Sequence, residues 1–244
     1  MSRRRASRVW IAVALVLVAA AAPALMAGTG SDPIVVLAPS SLAPSEDRFD
    51  DAFEAAGLGP VTWVFAGSQS LVAQLADGAP ADVVITADRT SFDAAREAGA
   101  TWPIEHALTT NRLVLAVSEG NPGGVTAVED LGNDALLVGL CAPDVPCGRL
   151  STEALTASGV TARPDTEETS ARALTTKLVA GELDVGLIYS TDARATGLET
   201  VFVPGLDDAV NTYWGTAAAG GAAVLDFLAS DAGRALFALE GFGR

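Results

Sequence analysis

The feature that most limits what this chain can become is an alternation. Short runs of β-branched and apolar residues give way repeatedly to alanine-rich stretches of helical period. Candidate strands fall at 34–37, 61–65, 83–86, 113–118, 136–139, 185–189 and 201–203. Candidate helices fall at about 44–56, 68–77, 91–98, 149–158, 169–180, 220–229 and 231–239. This order is the signature of an α/β fold with largely parallel strands. In the helix expected at 169–180, Leu174, Leu178 and Val179 carry the apolar spacing of one packed face. No repeat is visible, and no Gly-, Pro- or Ser-rich linker cuts the chain into sequential domains. Any division into lobes must therefore come from the chain crossing between them, and the extended segments 111–117 and 201–204 are the expected crossings.

The first residues read as an export signal. Arg3, Arg4, Arg5 and Arg8 form a basic start, 9–22 is almost wholly apolar, and 24–27 supplies small residues suited to cleavage. Residues 1–27 are therefore set apart from the fold. The apolar run is shorter than the roughly 20 residues of a comfortable span, although an uncleaved signal would still serve as an anchor. No cysteine lies near the cleavage point to carry a lipid. The protein is expected outside the cytoplasm, in a periplasm or on the outer face of the cell membrane.

Without the four signal arginines, eleven basic residues face thirty acidic ones, a net charge near −19. Nucleic acid is a poor partner for such a surface. The same charge repels an anionic ligand at long range, so a site for one must rely on preorganised donors at short range.

The two cysteines, Cys141 and Cys147, stand in Cys-Ala-Pro-Asp-Val-Pro-Cys. In an exported chain a disulfide is the natural reading, and so short a loop is stabilised by roughly 2 kcal/mol in the chain-entropy model. Bracing the loop is its expected work. A redox-active pair is the alternative, against which stands the lack of Cys-x-x-Cys spacing.

An enzyme reading fails on inventory. There is one histidine, His106, read as an exposed loop residue, and no cluster of His, Cys and carboxylate at metal-ligand spacing. Glu46-Asp47, Asp50-Asp51, Glu167-Glu168 and Asp207-Asp208 read as solvated faces or helix starts; a paired-carboxylate enzyme stays open as an alternative, with no pair singled out. Hydroxyl residues and glycines do recur where strands give way to helices: Ser40-Ser41, Gly67-Ser68, Cys147-Gly148 and Thr169-Ser170. Helix N-termini carry free N–H groups and partial positive charge, so several meeting in one cleft would bind an anion without Lys or Arg. Ser and Thr are also ordinary N-caps, which is the competing explanation.

From Phe65-Ala-Gly-Ser-Gln-Ser-Leu-Val-Ala-Gln-Leu through Gly78-Ala-Pro-Ala-Asp-Val-Val-Ile-Thr-Ala-Asp88, the sequence resembles the periplasmic molybdate-binding proteins of ABC importers. Ala38-Pro-Ser-Ser-Leu42 is similar to that family's Ala-Ala-Ser-Leu element. The likeness continues in Asn111-Arg-Leu-Val-Leu-Ala-Val117, in Val145-Pro-Cys-Gly148 with Glu153-Ala-Leu155, in Val185-Gly-Leu-Ile-Tyr-Ser-Thr-Asp-Ala193, and in the ending from Asp226-Phe-Leu to Gly241-Phe242.

The resemblance implies a two-lobed type II periplasmic-binding-protein fold, each lobe a mostly parallel sheet flanked by helices. The lobes it implies are 32–112 plus 204–244, and 113–203. It implies a non-catalytic receptor that holds molybdate, with tungstate as a further ligand of nearly equal size and a tungstate-preferring receptor as the nearest rival, as an intact oxyanion with no cofactor and no direct metal ligand. Carried over by position, Ser41 and Ser68 are the first lobe's serines, Cys147 offers a backbone N–H, Ser170 stands where the family often has valine, and Tyr189 donates its hydroxyl. The implied partner is the membrane permease of an ABC importer, and the receptor is expected to be a monomer. Pro39 and Pro44 depart from the family's first element. Other readings are a receptor for another oxyanion such as sulfate, a sensor domain of the same architecture, and an exported thiol-disulfide protein using Cys141 and Cys147.

Overall fold

The computed structural model describes residues 32–243, and the export signal expected over 1–27 lies outside them. Strands β1 (Ile34–Pro39), β2 (Val61–Ala66) and β3 (Val83–Thr86) alternate with helices α1 (Glu46–Ala55), α2 (Ser68–Ala76) and α3 (Arg89–Glu97). The three strands pair in parallel in the order β2-β1-β3. After the long strand β4 (Ile104–Val117) the pattern repeats with β5 (Val138–Cys141), α4 (Pro146–Ser158), β6 (Thr166–Glu168), α5 (Ala171–Val179) and β7 (Val185–Tyr189). Here the parallel order is β6-β5-β7. The chain then forms α6 (Ser190–Thr196), β8 (Glu199–Val201), β9 (Val210–Ala217), α7 (Ala222–Ala229) and α8 (Asp231–Leu239).

Two antiparallel strands join the parallel trios. β9 lies between β3 and β4, pairing with β4 from Ile104 to Arg112, while β4 continues from Leu113 to Val117 against β7 and, on its other edge, β8. This is the two-lobed type II architecture, with β4 belonging to both halves. Period-two alternation gives the first half a core on each face of its sheet. Val36, Ala38, Val83 and Ile85 pack with Phe49, Phe53 and Phe237, whereas Leu37 and Val84 pack with Leu71 and Ala95. The second half has one continuous core, running from Leu113 to Leu206.

Several expectations need correction. β4 begins nine residues before the expected 113, because its first part, rich in Glu, His and Thr, lacks the apolar pattern of a buried strand. β6, β9 and α6 were not anticipated. His106 is a surface strand residue rather than a loop residue, bonded to Asp226 at 3.0 Å. Val203 and Leu206 pack in the second core, and the chain enters the joining ladder at Val210. In α5 the packed face is Ala171, Leu174, Thr175 and Leu178, while Val179 is 56% exposed. Complete burial of Leu174 and Leu178 stabilises by about 1.5–3 kcal/mol each.

Candidate functional site

The parallel strands β1, β2, β5, β6 and β7 deliver their carboxyl ends to one cleft, where an open α/β sheet places its ligands. Beyond β1 the chain makes a six-residue 3-10 helix, Ser40–Ser45, before α1 begins at Glu46. Pro44 lies inside that short helix, so the two prolines reshape the approach to α1 and leave Ser41 buried at its start. Ser68 is the first residue of α2. Cys147 is the second residue of α4, behind Pro146, which suits a first helical position because it has no N–H to leave unpaired. Ser170 caps α5, its Oγ accepting the Ala173 N–H at 3.2 Å. Tyr189 ends β7 and is 2% exposed.

All five of these sequence-predicted residues line a single cavity of about 20 Å³. That is little more than the roughly 10–15 Å³ that holds one water, so the space suits a solute of a few atoms. Its other walls are Pro39, Ser40, Ala66, Gly67, Gln69, Ala87, Val145, Pro146, Thr169 and Ala171, with no Asp, Glu, Lys, Arg or His among them. The first turns of α2, α4 and α5 all border it, and N–H groups there have no carbonyl one turn back within the helix. A larger groove of about 720 Å³ shares no residue with this cavity and is bordered by Glu129, Glu153 and Asp208, which makes it unsuited to an anion.

Contacts across the cleft hold it closed. Gln69 Nε2 donates to the Thr169 carbonyl at 2.6 Å. Gly67 is required beside it, since a Cβ there would meet the same oxygen at 2.7 Å. Arg149 of α4 donates to Asp88 from Nε at 2.8 Å and Nη2 at 2.6 Å, and to Ser91 Oγ at 2.8 Å. Arg149 thus works as a brace beside the cavity and does not line it; neither does Arg172, which is exposed. Cys141 and Cys147 form a disulfide with Cα atoms 5.8 Å apart, tying the end of β5 to the start of α4. The loop is tight enough that a Cβ on Gly148 would come within 1.8 Å of the Ala142 oxygen. Both cysteines are buried, at 3% and 2% exposed, which denies an attacking thiol access.

Sequence reasoning missed a set of polar residues behind the cavity. Asn111 of β4 and Asn211 of β9 stand opposite each other in the joining ladder. Asn211 Nδ2 donates to the Tyr189 hydroxyl at 2.7 Å, and Tyr213 shares a 2.7 Å hydrogen bond with Ser41. Ser68 Oγ accepts the buried Ala87 N–H at 3.0 Å. Burial, together with neighbouring Tyr213, pushes the Tyr189 hydroxyl well above the ordinary tyrosine range, so it stays protonated and able to donate. Asn111 had only the signal of lying in a recognised block, and Asn211 and Tyr213 had none, because they act across a ladder that joins positions a hundred residues apart.

Fold and site together define a two-lobed solute-binding protein. Residues 34–243 match the family described as bacterial extracellular solute-binding protein, and the chain belongs to it. This family binds solutes and does not transform them. The molybdate-binding protein ModA of Mycobacterium bovis is 35% identical over 187 residues, covering 75% of this chain and 72% of that protein. Among solved structures, the periplasmic molybdate-binding protein of Azotobacter vinelandii is 17% identical with a TM-score of 0.68, covering 86% of this chain and 99% of that one. The sulfate-binding protein SubI of Mycobacterium tuberculosis is 20% identical with a TM-score of 0.75, covering 86% of each chain. Family membership places the protein in the periplasm or outside the cell. Among the described residues, no helix is long and apolar enough to cross a membrane.

Proposed function

We propose that this protein is a receptor for molybdate, with tungstate as an equivalent ligand, held by Ser41, Ser68, Cys147, Ser170 and Tyr189 without any cofactor. The observation that carries the reading is the cavity itself, where hydroxyls and the first turns of three helices converge with no ionisable side chain but a protonated tyrosine. A fully deprotonated tetrahedral oxyanion only accepts hydrogen bonds, and every one of these groups can donate. Bonds to such a dianion are roughly twice as strong as neutral ones, and several aimed together offset its desolvation. The 35% identity with a molybdate-binding protein supports molybdate within this chemistry.

In this proposal 32–112 plus 210–244 form the first lobe and 113–209 the second, the return being placed after 203 because Leu206 packs in the second core. The lobes close on the anion as a monomer and present it to the permease of an ABC importer, hinge closure being the usual motion of such receptors. Protein titrated with molybdate at a hundredfold excess over Kd is stabilised by about 2.7 kcal/mol, which raises Tm by roughly 5–10 °C. The expected result is a saturable rise with molybdate and tungstate. Little rise is expected with sulfate, which is smaller, or with phosphate, which carries a proton that needs an acceptor. A larger rise with sulfate than with molybdate, or none with any oxyanion, overturns the proposal.

A further inference from the structure

The hydrogen bonds behind the cavity have a direction, and backbone groups fix it. The Oδ1 of Asn111 accepts the Arg112 N–H at 3.0 Å. A backbone N–H can only donate, so the other end of that amide is Nδ2, which faces Thr191 Oγ1 at 2.7 Å and the Tyr213 hydroxyl at 3.3 Å. Its two hydrogens serve those two oxygens. Asn211 presents Nδ2 to the Pro146 carbonyl at 3.2 Å and to the Tyr189 hydroxyl at 2.7 Å. A carbonyl can only accept, so the nitrogen of this amide is fixed as well, with one hydrogen for each partner.

The consequences run forward into the cavity. Tyr189 receives a hydrogen from Asn211 and cannot return its own along the same line. Tyr213 receives one from Asn111 and is fully buried, so its own proton needs a protein acceptor, and among the described residues Ser41, at 2.7 Å, is the one within reach; that makes Ser41 the acceptor in this bond. Ser41 therefore keeps its own proton for another acceptor. Both freed protons belong to residues that line the cavity. Asn111 is 2% and Asn211 9% exposed, so water does not compete freely for these bonds.

We infer that Asn111 and Asn211 are positioning residues, which from the two joining strands hold the hydroxyl protons of Ser41 and Tyr189 turned toward the bound anion. Asn111 acts through Tyr213 and Asn211 acts directly. The donors are then oriented before the ligand arrives, and binding does not have to reorder them. This inference rests on the receptor reading above.

The test is a pair of double-mutant cycles on molybdate Kd, measured by calorimetry on protein shown to be folded by circular dichroism and ligand-free melting. Asn211→Leu, nearly isosteric and uncharged, is expected to weaken binding about tenfold in the wild-type background. In a Tyr189→Phe background it is expected to add less than about twofold, because the hydroxyl it orients is gone. Tyr213→Phe should behave in the same way toward Ser41→Ala. Should Asn211→Leu not fold, Asn211→Ser, smaller and still able to donate, carries the comparison, and is expected to retain binding within about threefold of wild type. If wild type binds no oxyanion, the receptor reading falls and this inference with it. If wild type binds but the losses simply multiply, as a general structural role would produce, the inference alone is overturned.

Discussion

Asp192 is a carboxylate held almost entirely out of water. It sits in the first turn of α6, is 4% exposed, and its Oδ2 has no hydrogen-bond partner among the described residues. Burial raises its pKa from 3.8 to about 7, against a smaller opposing pull from Arg172. Because the folded value is the higher one, the folded protein holds a proton that the unfolded chain has lost between about pH 4 and pH 7. Stability from this group is therefore greatest at the acid end and falls as pH rises through that window. Asp192→Asn should remove the decline, so that variant and wild type differ by on the order of a few kcal/mol at pH 8 and converge toward pH 4. Urea unfolding at several pH values would show this, and an equal difference at both ends would refute it. The residue was visible in the sequence only as part of Tyr-Ser-Thr-Asp-Ala, because desolvation is a property of what packs around a side chain.

At the scale of elements, α4 shows how a local sequence sets a site. Pro146 starts the helix, Gly148 allows the loop to press against it, and the Cys141–Cys147 bridge holds its first turn to β5. Replacing both cysteines with serine should cost about 2 kcal/mol of stability, read from denaturant midpoints. The same variant should release molybdate several-fold faster, since the N–H groups of that turn are no longer held in place. Unchanged dissociation in stopped flow would mean that the bridge serves stability alone. The strands β3 and β7 were legible to the residue, because each is a short apolar run that is buried throughout. β9 was not, since Val-Asn-Thr-Tyr-Trp-Gly-Thr-Ala mixes polar and small residues whose partners lie in other strands.

Over the whole molecule, the Asp88–Arg149 pair crosses the cleft outside the cavity and is the most buried ion pair among the described residues, with side chains 11% and 26% exposed. Asp88 also caps α3 through the Ser91 N–H at 2.8 Å, so its position does not depend on the arginine. Arg149→Ala is expected to leave the melting temperature within a few degrees while favouring the open form, weakening molybdate binding about three- to tenfold. Small-angle scattering without ligand should show a larger radius of gyration than wild type; an unchanged radius with unchanged affinity would remove the pair from closure. By itself the sequence determined the alternation of strand and helix, the serines and tyrosine at the strand ends, and the cysteine bridge, because each is written in local pattern or short spacing. Only the tertiary structure decided that Asn111 faces Asn211 across a joining ladder, that Tyr213 reaches Ser41, and that Arg149 crosses to Asp88. Those contacts arise from sheet register and lobe closure, which bring together residues between 61 and 172 positions apart that share no local signal.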